Sequence, residues 1–103
     1  MNIQQVMKQA QALQMKVAAL QEELRGREQV GASGGGKVKV TMNGANEITA
    51  IAIDPEVVRP DEADLLEDLV LTACRDARGK VSTMVETEMK RVTGGMGLPP
   101  GLF

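Results

Sequence analysis

Ile3, Ala10, Val17 and Leu24 recur every seven positions, and Val6, Leu13 and Leu20 form a second apolar series offset by three. This a/d stripe, flanked by Gln, Lys and Glu, predicts an amphipathic helix over residues 2–25. Gly26 and the polar residues after it end the pattern. At 1.5 Å per residue such a helix is about 36 Å long. That exceeds what a small domain can cover, so part of it is expected to project.

The period then shifts from helical to alternating. Glu28, Val30 and Ala32 are interleaved with polar or small residues, which predicts a weak edge strand over 27–33. Gly34 to Gly36 supply a turn. Residues 37–42 predict a firmer strand, with Val38, Val40 and Met42 on one face and Lys37, Lys39 and Thr41 on the other. Asn43 to Asn46 form a short hairpin loop whose Asn-Gly pair tolerates positive φ. Residues 47–53 return as an isoleucine-rich strand. Ile48 is out of parity with Ile51 and Ile53, which calls for a bulge or two-sided burial near Ala50.

Asp54-Pro55 breaks that strand, and Pro60 keeps a helix from starting earlier. Asp61 is suited to cap a second helix over residues 62–92, and Glu62 and Asp64 suit its dipole. Its first half is apolar over a wide arc (Leu65, Leu66, Leu69, Val70, Leu71, Ala73) and is expected to pack on the sheet. Beyond Gly79 the stripe narrows to Val81, Met84, Val85, Met89 and Val92, suited to pair with helix one. Gly79 costs about 1 kcal/mol relative to alanine, and close packing at that junction is the expected reason for it. After Thr93 the glycines and prolines predict a flexible tail over 94–103, leaving one domain over 1–93.

Composition limits what this scaffold can do. Phe103 is the only aromatic residue among 103, so the core is aliphatic with methionine filler. So small a core between long helices is expected to need a second subunit, which predicts a homodimer. Cys74 is alone and has no internal disulfide partner, which suits a reducing cytosol. Its apolar helical setting favours a buried small hydrophobe over a reactive thiol. No apolar run reaches the roughly 18 residues of a membrane span, and the polar first turn lacks the apolar region of a signal peptide. A cytoplasmic protein without membrane contact is expected.

Chemistry is sparse. There is no histidine, and one cysteine makes no thiolate cage within a chain. The acids between Asp54 and Asp68 lack the spacing of a calcium loop. Gly34-Gly35-Gly36-Lys37 precedes a strand rather than a helix, and no Ser or Thr follows the lysine, which excludes a phosphate loop. No enzymatic activity, metal, cofactor or small-molecule substrate is expected. Charge is more informative. Residues 54–69 hold seven acids and one base, a net of -6, so with -2 overall the rest carries +4. Basic side chains on the helices, Lys8, Lys16, Lys80, Lys90 and Arg91, are the candidates for neutralising phosphates without reading bases. They gather on one arm if the first half of helix one lies along the second half of helix two. Solvated lysines on exposed helices are the bland alternative.

Five ordered blocks carry a resemblance: M-K-Q-A-Q-A-L-Q-M-K (Met7 to Lys16), S-G-G-G-K-V-K-V-T-M-N-G (Ser33 to Gly44), I-D-P (Ile53 to Pro55), L-L-E-D-L-V (Leu65 to Val70) and T-G-G-M-G-L-P-P-G (Thr93 to Gly101). In this order and spacing the chain resembles the YbaB/EbfC family of bacterial nucleoid-associated proteins. The resemblance implies an α+β fold: an αβββα protomer, with two long helices flanking a small antiparallel sheet, in a tweezer-like homodimer. It also implies double-stranded DNA binding with low sequence specificity, a place in chromosome organisation and gene regulation, and a nucleoid location. The competing reading of the same heptad stripe is a helical protein-interaction module with indirect or no DNA binding.

Overall fold

Asn2 opens the first helix, its side-chain oxygen accepting the Gln4 N–H at 3.0 Å. In the computed structural model, which describes residues 2–95, this helix α1 spans Ile3–Arg25. Three antiparallel strands follow, β1 (Glu28–Ser33), β2 (Val38–Asn43) and β3 (Ile48–Ile53), in the order β1-β2-β3. Two single 3-10 turns, Pro55–Val57 and Pro60–Glu62, lead into the second helix α2 (Ala63–Gly95). The α+β architecture implied by the resemblance is therefore present, but α2 runs past Val92 to Gly95. Glycine weakens a helix without breaking it as proline does. The rest of the expected tail, residues 96–103, lies outside the described residues.

α2 lies across β1 and β2, where Val38, Val40 and Met42 meet Ala73, Ala77 and Val81 in a fully aliphatic core. The approach is close because of Gly31. A Cβ there would fall 2.2 Å from the Ala77 nitrogen and 2.3 Å from the Ala73 oxygen, both backbone atoms. Opposite residues in an antiparallel pair share a face, and Gly31 pairs with Val40. The buried side of β1 is therefore Gly31 and Ser33, whereas Val30 is exposed. The face that carries Val30 is thus turned outward, because the helix backbone needs space on the other face rather than a side chain. Ser33 is held by its hydroxyl, which donates to the Leu69 carbonyl at 2.6 Å.

Gly79 does not serve the close packing expected of it: a Cβ there meets nothing within 4 Å. The second tight contact is at Gly44, where a Cβ would lie 2.4 Å from the Leu24 oxygen. The Gly44 N–H donates to that same oxygen at 2.9 Å, tying the β2–β3 loop to the end of α1. The loop itself is organised by buried Asn43, whose Oδ1 accepts the N–H groups of Ala45 at 2.9 Å and Glu47 at 3.1 Å. Positive φ falls on Asn46, at 62°, rather than on the Asn-Gly pair.

α1 does not touch the core under the sheet. Leu20 and Leu24 pack with Met84 in a second cluster bordered by Val85, Met89 and Val92. It is thus the second half of α1, not the first, that lies along the second half of α2. Ile3, Val6 and Met7 project beyond it and are exposed, in a molecule 69 Å long and 21 Å by 16 Å across.

The two edges of the sheet are treated differently. On β1 the outward Ala32 N–H is taken by the Asp76 carboxylate at 2.9 Å, and the outward Val30 carbonyl by the Lys80 ammonium at 3.0 Å. Asp76 and Lys80 also pair with each other at 3.3 Å. This covers an edge that would otherwise be free to template another strand. β3 has no such cover, and all six of its residues are exposed. Its pairing shifts at Thr49, between Thr41↔Ala50 and Met42↔Ile48. The bulge returns Ile48 to the face that carries Ile51 and Ile53, which explains the broken parity of the strand.

Two stability measurements follow from this geometry. Gly31→Ala is expected to cost roughly 3 kcal/mol or more, since backbone atoms must move, whereas Gly79→Ala should gain about 0.5–1 kcal/mol from helix propensity alone. Denaturant midpoints of the two variants check this, and equal effects would contradict it. The second concerns Asp76, whose pKa is lowered from the usual 3.8, first by the Ala32 N–H and then by Lys80. A depressed folded-state pKa gives stability that is present above the unfolded value and lost as pH falls through the folded one. Asp76→Asn should therefore be less stable than the parent at neutral pH, with the difference shrinking only as pH falls below that usual value.

Candidate nucleic-acid interface

The basic side chains proposed from sequence do not gather on one arm. Lys8 and Lys16 lie on the part of α1 that carries the exposed stripe, Lys80 sits beside β1, and Lys90 and Arg91 occupy the far end of α2. Ten residues of helix, about 15 Å, separate Lys80 from Lys90. Because the first half of α1 does not run along the described part of α2, the condition for a single cluster is not met.

Most of these cations already have an anionic partner on the chain. Lys80 is committed to Asp76 and the β1 edge, and Lys90 lies 3.4 Å from Glu86 one helical turn away. Arg91 approaches Glu88 at 2.6 Å, and Arg27, just past α1, reaches the other oxygen of Glu88 at 3.2 Å. Glu88 is the most enclosed acid of these pairs, its side chain only 13% exposed. Its Oε2 is close to Arg91 but off hydrogen-bonding angle, so the attraction there is coulombic. Arg25 is shared between Glu22 and Glu47, and Arg59 faces Glu62 at 3.9 Å. Lys37 donates to Glu56, and that bond raises its pKa above the usual 10.5. Three of the seven acids in the acidic segment are used locally: Glu56 by Lys37, Glu62 by Arg59, and Asp54, which caps the turn at Pro55–Val57 by accepting the Glu56 N–H at 2.9 Å.

Among the described residues, four cations have neither an ion pair nor a hydrogen bond from the side chain: Lys8, Lys39, Arg75 and Arg78. Only Lys8 belongs to the set proposed from sequence. Arg75 and Arg78 were passed over, although the helical spacing of acids and bases marks them. Lys39 projects from the sheet face away from α2, between Ala32 and Ala52.

Two grooves run along α2. One, of about 500 Å³, lies between the helix and the β2–β3 loop and is bordered by Asn46, Arg78, Ser82, Glu86 and Lys90. The other, of about 520 Å³, is bordered by Gln29, Arg75, Asp76, Gly79, Lys80, Thr83 and Met84. Both are open, and each mixes polar and apolar surface. A third hollow, of about 570 Å³, is almost wholly apolar, lined by Ile53, Leu66, Val70, Leu71 and Cys74 beside the open edge of β3. No three acidic or thiol groups among the described residues converge as a metal site, and no described helix is long and apolar enough to cross a membrane.

Similarity to known proteins agrees with this architecture. A solved structure of an uncharacterized protein from Helicobacter pylori shares the fold, with a TM-score of 0.66 over 77% of this chain and 92% of that one, at 20% identity. Among curated relatives, a nucleoid-associated protein of Nitrobacter hamburgensis is 52% identical over 97 residues, 94% of this chain and 92% of the relative. One from Rhodospirillum rubrum is 45% identical over 98% of this chain and 94% of its own length. One from Clostridium novyi is 45% identical over all of this chain and 90% of its own. The model of the YbaB/EbfC DNA-binding family matches residues 1–96, the whole of both helices and the sheet between them, and the chain belongs to that family.

Proposed function

We propose that this protein binds double-stranded DNA as a homodimer with low sequence specificity, within the bacterial nucleoid, where it contributes to chromosome organisation and gene regulation. The observation that carries the reading is family membership over essentially the whole chain, together with relatives named as nucleoid-associated proteins. The low specificity is argued from side-chain chemistry. Exposed Lys and Arg on helix faces reach phosphates, which position a protein without reading sequence. Residues 2–95 contain no aromatic side chain on which a base could stack.

The homodimer is supported by what the fold leaves uncovered. β3 is an unpaired edge, with Ile48 and Ile51 about half exposed and Ile53 somewhat less. Beside them lie exposed Leu71 of α2 and the apolar hollow. A second copy related by a two-fold axis would cover this surface with its own equivalent. A second reading, docking to a partner protein, has its own observation in the exposed Ile3, Val6 and Met7 of the projecting helix.

Gel shifts on duplex DNA across a salt series test the DNA reading. Binding is expected to weaken linearly in log–log form, with a slope of about -0.9 per phosphate neutralised, and similarly for unrelated sequences. No binding at low salt, alongside a co-purifying protein partner, would favour the second reading instead. Sedimentation tests the dimer separately. The parent should sediment as a dimer at micromolar concentration, and Ile51→Glu should shift it toward monomer while helix content is retained. A monomeric parent would end the dimer proposal.

A further inference from the structure

We infer that Arg75 and Arg78 are the principal phosphate contacts on α2, ahead of Lys80, Lys90 and Arg91. The inference rests on the DNA-binding reading and deepens it.

From Arg75 to Arg91 the helix carries five bases and three acids. Asp76 pairs with Lys80, Glu86 with Lys90 and Glu88 with Arg91. These three pairs account for every acid, and the net charge of +2 that remains is Arg75 and Arg78. The local sequence enforces this. Residues three and four away on a helix are surface neighbours. For Arg75 they are Leu71, Thr72, Arg78 and Gly79, and for Arg78 they are Cys74, Arg75, Val81 and Ser82, none of them acidic. A phosphate approaching Lys90 meets the Glu86 carboxylate beside it. At Lys80 it would also have to strip the ammonium from the β1 edge. Either contact exchanges one anion for another, whereas a phosphate on Arg75 or Arg78 neutralises a charge that the fold leaves open. Guanidinium also suits the task, because its planar fork can donate twice to one phosphate.

The shape of α2 fits the same assignment. Arg75 and Arg78 are three residues apart and border the two grooves; the acids that also line them, Asp76 and Glu86, are paired with Lys80 and Lys90 rather than with either arginine. Gly79 and Ser82 lie next to them on the exposed surface, and nothing within 4 Å fills the space above Gly79. A low helix surface between two open cations lets a duplex backbone come close. Gly79, which does not serve packing within the chain, acquires a reason here. Ser82 and Thr83, each lining one of the two grooves, add hydroxyls that can donate to phosphate oxygens.

The test is fluorescence anisotropy of a labelled duplex across a salt series, using the full-length protein and charge-matched double variants. Arg75→Gln with Arg78→Gln should reduce the log–log salt slope by about 1.8, two contacts at 0.9 each, and per protomer if both bind. Lys80→Gln with Lys90→Gln removes the same charge and should reduce the slope by less than half as much. Arg75→Lys with Arg78→Lys should keep the parent slope. Circular dichroism checks that exposed substitutions leave the helices intact. Equal slopes for the two glutamine variants, or a larger loss from the lysine pair, would overturn the inference while leaving DNA binding in place. Absence of binding by the parent protein would remove the DNA reading itself.

Discussion

The contact on which the rest of this fold depends is between the backbone of α2 and the bare α-carbon of Gly31. Packed layers usually stand off by the thickness of two side-chain layers, as two stacked sheets do at roughly 10 Å. Here the contact surfaces are Gly31 on the strand and Ala73 and Ala77 on the helix, so the backbones meet directly. That closeness allows a core with no aromatic residue to be filled by Val38, Val40, Met42 and Val81. It also brings Asp76 and Lys80 within hydrogen-bonding distance of the outward groups of β1. A side chain at Gly31 would lift the helix, and the edge cover would be lost with the core.

The same placement leaves the other side of the sheet unfinished. α2 is centred on β1 and β2, so β3 overhangs with isoleucines on the helix-facing side and no helix beneath them. One edge of the sheet is capped by charged side chains while the other offers free backbone groups and apolar surface. Proteins that remain single chains protect exposed strand edges with charges, prolines or cover. β3 (I-T-A-I-A-I) has none of these within the strand, which is why a second copy is the proposed occupant. Family membership and the aliphatic composition lead to the same expectation by independent routes.

Electrostatically, the molecule spends most of its bases on its own acids. Pairing leaves the net charge at -2, so the net value does not describe what a polyanion would meet at any one face. What matters for a polyanion is the charge left after local pairing, together with where it sits. Exposed pairs one turn apart are individually weak, on the order of 0.2–1 kcal/mol. Even so, each places a carboxylate where a phosphate would have to come. The residual positive charge is confined to a few side chains on α1, α2 and the open sheet face.

Much of this was legible in the sequence, because short-range physics governs it. The heptad stripe of α1, the alternation of Val38, Val40 and Met42, the break at Asp54-Pro55 and the displaced parity of Ile48 each report a local period, and the elements follow. The lone status of Arg75 and Arg78 was legible too, since helical spacing alone separates them from any acid. Tertiary contact decided what spacing does not contain. Which face of β1 is buried depended on a helix more than forty residues away that needs a glycine rather than a valine opposite it. Gly79 and Gly31 look alike in sequence, and only packing shows which one the fold requires. Spacing already pairs Lys80 with Asp76 one turn away, but only the fold sets both against the edge of β1. The sequence by itself determined the elements and their amphipathic patterns, because those arise from neighbours within a turn or a strand. The structure decided which surfaces meet and which charges remain available, because both depend on distances the chain sets only once it has folded.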